Sequence, residues 1–84
     1  MTISFHDFLA LTFARFGVAI RAQYGENDVP TVEDAARIVG TIIDQLAVEY
    51  AIADASRLQL RALIIPTIQQ SVTKFLNEER KNLQ

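Results

Sequence analysis

Few side chains in this sequence could do chemistry, and their spacing limits what each could do. His6 is the only imidazole and stands beside Asp7. Adjacent helix residues point in different directions, so the two cannot act as a general-base pair. His6 therefore reads as an exposed side chain in a first helical turn. Cysteine is absent, which removes thiolate nucleophiles, disulfides and thiolate metal sites, and a single imidazole adds little toward zinc ligation. The adjacent carboxylates Glu33–Asp34 and Glu78–Glu79 read as solvated faces or cap support. No glycine-rich phosphate loop, His-Glu-x-x-His motif or serine elbow is present. The expectation is a non-enzymatic protein with no cofactor and no metal. Arg57 and Arg61 are the exception. Four residues apart, they share one helical face and present two guanidinium forks to carboxylates or phosphate. The alternative is that they pair with Asp54 or with acidic residues of the preceding helix.

Helices must position these groups. Ser4 with Asp7 three residues later marks a helix start, with Ser4 capping free amides and Asp7 at the positive end of the dipole. The helix should run over about 5–24, with Gly25 as its stop and 26–30 as the connection. Phe5, Leu9, Phe13, Phe16, Ile20 and Tyr24 recur at spacings of three and four, giving one apolar face. Leu11, Val18 and Ala22 lie roughly opposite. Ala10, Ala14 and Gly17 form a strip of small residues between. A helix apolar on several sides is normally buried on several sides, and a chain of 84 residues has little with which to cover it. A second copy or another protein is the missing layer, with Phe5, Leu9, Ala10, Phe13, Ala14, Phe16 and Gly17 as contact candidates beside Arg57 and Arg61.

Thr31 and Asp34 repeat the start signal. Val32, Ala35, Ala36, Val39, Ile42, Ile43, Leu46 and Tyr50 form an apolar stripe opposite Glu33, Asp34, Arg37, Thr41, Asp44 and Gln45, predicting a second helix over about 32–52. Gly40 lies at the stripe's edge, where it would let another helix approach closely. A third helix is predicted over about 56–80, starting at Asp54 or Ser56. Pro66 should kink or break it near 62–66, since the ring removes one hydrogen bond and crowds the preceding turn. Arg57-Leu58-Gln59-Leu60-Arg61-Ala62 also alternates with strand periodicity, so helix and strand both remain open there, with helix preferred because a lone strand has no sheet to join.

The segment Thr31-Val32-Glu33-Asp34-Ala35-Ala36-Arg37-Ile38-Val39-Gly40 resembles the first helix of the helix-turn-helix in the lac-repressor family of regulators. That resemblance implies a capping Thr, a small Ala against a second helix, a turn opened by Gly40, and DNA as partner. Thr41-Ile42-Ile43-Asp44-Gln45-Leu46 departs from it by continuing the same stripe. Asp44 and Glu49, with no Lys or Arg between, would repel phosphate in a recognition segment.

Composition sets the remaining bounds. Half the residues are hydrophobic, with 3 Gly and 2 Pro, which fits one helical domain over 1–84. The net charge is −2, unevenly spread. Residues 26–54 carry Glu26, Asp28, Glu33, Asp34, Asp44, Glu49 and Asp54 against Arg37 alone, whereas residues 55–84 carry Arg57, Arg61, Lys74, Arg80 and Lys81 against Glu78 and Glu79. The acidic middle and basic end could complement each other within one subunit or between two. The apolar run from Phe8 is broken by Arg15 and does not read as a secretory signal, and no uncharged stretch approaches a bilayer span. Interfacial membrane binding would need a strongly basic polar face, which the first helix lacks. The expectation is therefore an all-α bundle of three principal helices, the third kinked or split at Pro66, in a cytoplasmic protein. Its expected function is protein–protein interaction as a homodimer or small homo-oligomer of accessory or regulatory type, such as a phage- or plasmid-type inhibitor. A helix-turn-helix-like DNA-binding regulator and a structural assembly component are the alternatives.

Overall fold

A computed structural model describes residues 3–25 and 28–82, with side chains through residue 78. Residues 26 and 27 of the expected connection and the last two residues lie outside the described residues, as does the side chain of Glu79. Three helices follow one another: α1 Phe5–Tyr24, α2 Val32–Glu49 and α3 Asp54–Asn82. Among the described residues there is no strand, so residues 57–62 are helical despite their alternation. The chain is an all-α bundle.

The helix ends form by the expected local chemistry. The Asp7 amide donates to the Ser4 hydroxyl at 3.1 Å and the Asp34 amide to the Thr31 hydroxyl at 3.1 Å, each filling one donor that a helix start leaves free. Gly25 closes α1 at φ 76°, where a side chain would be strained. The end of α2 is less expected. The Ile52 amide reaches back to the Ala47 carbonyl at 2.8 Å, and the Ala51 amide to Val48 at 3.3 Å. This is the Schellman arrangement, and it forces Ala51 to φ 53°, a position glycine usually fills. It ends α2 at Glu49, three residues before the expected 52, and lets α3 begin at Asp54, the earlier of the two starts the sequence offers.

Pro66 does not split the third helix, contrary to one of the two forms expected: α3 is continuous for 29 residues. Pro66 and Ala62 are both exposed, so the carbonyl that loses its N–H partner faces water rather than the core. The Thr67 hydroxyl caps the adjacent Leu63 carbonyl at 2.9 Å.

Packing centres on α2. Ala35, Ile38, Val39, Ile42, Ile43, Leu46 and Ala47 are buried there, and α3 adds Ile64, Ile68 and Val72 at spacings of four. Arg15 meets Glu49 and Tyr24 meets Asp34, so α1 runs antiparallel to α2. Arg57 meets Asp44 and Arg61, one turn on, reaches back to Gly40, so α2 runs antiparallel to α3. From α1 the fully buried residues are Phe8 and Thr12. The apolar face read from spacing is divided between the core and the surface. Phe5 and Phe13 are 51% and 38% exposed, while Leu9, Phe16, Ile20 and Tyr24 lie half-buried on the core. Apolar residues surround α1, so periodicity alone does not fix its rotation; its polar contacts with α2 do.

The Ala51 backbone yields a direct test. A left-handed conformation costs an L-residue roughly 1–2 kcal/mol, and glycine's greater unfolded-state freedom offsets part of any gain. Ala51→Gly should therefore raise stability by about 1 kcal/mol in urea denaturation. An unchanged or lower midpoint would show that the corner is not strained.

Candidate interaction face

Of the four arginines in α1 and the first half of α3, three, Arg15, Arg57 and Arg61, are folded onto α2. Arg15 forms a two-pronged pair with Glu49, its second bond 3.0 Å long. Arg57 reaches Asp44 at 2.8 Å and also Asp54 at 3.5 Å. Arg61 contacts both Asp44 oxygens at 3.2 Å and donates to the Gly40 carbonyl at 3.0 Å. Part of the charge asymmetry seen in the sequence is thus met within one subunit, Arg57 and Arg61 of the basic end pairing with Asp44 and Asp54. These pairs are partly exposed, so each contributes little stability. Their larger effect is on where charge is not.

Gly40 makes the Arg61 contact possible. A Cβ there would stand 2.9 Å and 3.0 Å from the two guanidinium nitrogens. The glycine at the stripe's edge therefore admits a side chain of the neighbouring helix. It opens no turn, for α2 is helical on both sides of it; the second helix implied by the helix-turn-helix resemblance does not start there.

On the other side of the molecule, α1 and α3 flank a furrow. At one end Phe5, Phe8, Leu60 and Leu63 border a groove of about 540 Å³, closed by Tyr50 and Ile52. At the other end Phe13, Phe16, Gly17, Ile20, Ile68, Val72 and Phe75 border one of about 620 Å³. Among the described residues, the only charged ones lining either groove are Arg21 and Asp28, at the α1–α2 connection. Phe5, Phe13, Leu63 and Phe75 stand 38–59% exposed along it. The lining offers apolar contact, a few hydroxyls and the Gln59 amide. Charge depletion with aromatic enrichment is the composition of protein contact surfaces.

The structure divides the sequence-derived candidates. Phe13, Phe16 and Gly17 come together in one groove and Phe5 lines the other. Leu9 belongs to the packing against α2 and α3. Ala10 and Ala14 are exposed, and nothing lies within 4 Å of the Cβ position of Gly17, so within one subunit the small-residue strip meets no helix. Arg57 and Arg61 are held by Asp44, away from the furrow. The walls supplied by α3, Leu63 and Phe75, were not foreseen. The signal for Leu63 was the uncharged run from Ala62 to Thr73; Phe75 lies beyond it, after Lys74.

Among the described residues no group of three or more His, Asp or Glu is placed to hold a metal ion, and no helix is long and apolar enough to cross a membrane. Comparison with family models, characterised proteins and solved structures finds no match to this chain.

Two carboxylates on α2 are tuned by these contacts. The Tyr24 hydroxyl, donating at 2.9 Å, holds the Asp34 carboxyl below its ordinary value, with Arg37 adding and desolvation opposing. The Arg15 bond holds Glu49 down in the same way, against desolvation. A carboxyl depressed on folding adds stability above its unfolded pKa, and loses it as pH falls through the folded one. Melting temperature should therefore drop below about pH 4.5, and the Tyr24→Phe, Arg15→Gln double variant should flatten that drop while starting lower at neutral pH. An equally steep fall in the variant would remove these contacts as its cause. The Arg61–Gly40 fit has its own test. Gly40→Ala gains about 1 kcal/mol of helix propensity but displaces Arg61, so urea titrations should show it clearly stabilising only when Arg61 is already Ala. Equal gains in both backgrounds would mean that Arg61 does not occupy the space.

Proposed function

We propose that this chain is a non-enzymatic protein–protein interaction module, an accessory or regulatory protein of the cytoplasm that associates with itself and works by covering a surface of another protein. The observation that carries this reading is the furrow between α1 and α3. Arg15, Arg57 and Arg61 are drawn onto α2, and half-exposed Phe and Leu side chains are left along a nearly charge-free face. In a small domain such a patch costs solubility unless something covers it. An inhibitory role of the phage or plasmid kind belongs to the same class, because occluding a partner needs area and no chemistry. The DNA-regulator alternative has less support, since Arg57 and Arg61 are engaged by Asp44 and α2 is one unbroken helix.

The test is site-specific photo-crosslinking in cells that make the protein. A photoreactive phenylalanine analogue at Phe13 should give protein adducts, and the same group at exposed Gln45 on α2 should not. Adducts from neither position, or equally from both, would sink the contact-face reading.

A further inference from the structure

We propose that the partner on the furrow is a second copy of this chain, with α1 of each molecule lying in the furrow between α1 and α3 of the other; this rests on the contact-face reading above. Shape supports the occupant. Phe8 and Thr12 are fully buried, and residues two further along a helix point nearly the opposite way, so the outward crest of α1 is Ala10 and Ala14, with Gly17 beside them. Small side chains let that crest enter a furrow to the short end of interhelical distances. Phe13 on its flank reaches the wall that Phe75 forms.

Area supports it as well. At roughly 150–250 Å² per aromatic side chain, the exposed fractions of Phe5, Phe13 and Phe75, with Leu63, leave on the order of 400 Å² of apolar surface. A homodimer of ordinary size covers about 800 Å² per partner, roughly two-thirds of it apolar. The crest of α1 and the groove floors supply the remainder.

Charge points the same way. Two identical faces can meet only if neither carries a dominant sign. Among its described residues this one is uncharged along its centre and bears one cation and one anion, Arg21 and Asp28, at one end. A two-fold axis along the furrow keeps like ends together, so Arg21 of each copy comes to Asp28 of the other, and the pair forms twice. A surface meant for a strongly acidic or basic partner would not be neutral.

The experiment is sedimentation equilibrium of the purified full chain at micromolar concentration. Twice the monomer mass of 9.4 kDa is expected. Phe13→Glu and Phe75→Lys alter exposed positions, so each should keep its helical circular dichroism and raise the dissociation constant at least about tenfold. An equal mixture of the two should regain the dimer, because the new Glu meets the new Lys on one side of the axis and Phe13 meets Phe75 on the other. Ala14→Arg, a good helix former on the crest, is the second route and should also dissociate the dimer. A monomeric wild type overturns the proposal, and so does a dimer indifferent to all three variants. Loss of dimer in the single variants without rescue in the mixture overturns the α1-in-furrow arrangement. Protein adducts at Phe13 with a monomeric wild type would overturn the second copy alone and leave the contact-face reading standing; absence of both would remove the two together.

Discussion

One helix in this molecule is covered from two sides, and the rest is arranged around that fact. An 84-residue chain buries only a modest share of its surface, which is enough to enclose α2 between α1 and α3 but not to enclose its neighbours. The clean amphipathic pattern of α2 reflects this. Its broad apolar stripe serves both neighbours, while Asp34, Asp44 and Glu49 at the stripe's margins collect the polar groups that reach across. Because Arg15, Arg57 and Arg61 are spent on those margins, the furrow between α1 and α3 is left lined mainly by apolar side chains.

How legible this was depended on how unambiguous each local signal is. Ser4, Gly25 and Thr31 act through the backbone of their own helix, and their roles followed from residue type and spacing. The stripe of α2 has one polar and one apolar side, so its rotation followed too. The rotation of α1 did not. Apolar residues occur around its whole circumference, and the choice of Phe8 and Thr12 over Phe5 and Phe13 as core residues depends on Arg15 and Tyr24 finding Glu49 and Asp34, partners 34 and 10 residues away. Pro66 was read from the ring's lost hydrogen bond, whereas exposure of Ala62 decides whether that loss breaks a helix, and exposure is a tertiary property.

The candidate site was legible in part for the same reason. Surplus apolar surface on α1 could be read from composition alone, because no arrangement of so short a chain can hide all of it. Its location could not. Leu63 and Phe75 join Phe5 and Phe13 only once α3 has passed alongside α1, and Arg57 and Arg61 stop being free cations only once Asp44 is placed between them.

Thr12 gives the architecture a further property. Its hydroxyl is fully buried, yet it bonds at 2.8 Å to the Phe8 carbonyl of its own helix and asks nothing of α2. The interior between α1 and α2 therefore holds no directional polar lock, and the register of α1 is kept from outside, by solvent-washed contacts near its middle and its end. Apolar packing tolerates sliding in a way that a buried cross-helix hydrogen bond does not. The α2–α3 hairpin, which shares most of the fully buried side chains, is thus the natural cooperative unit. α1 adds only Phe8 and Thr12 to that buried set, so the helix with the least buried anchorage is also the one whose outer surface stands open to a visitor.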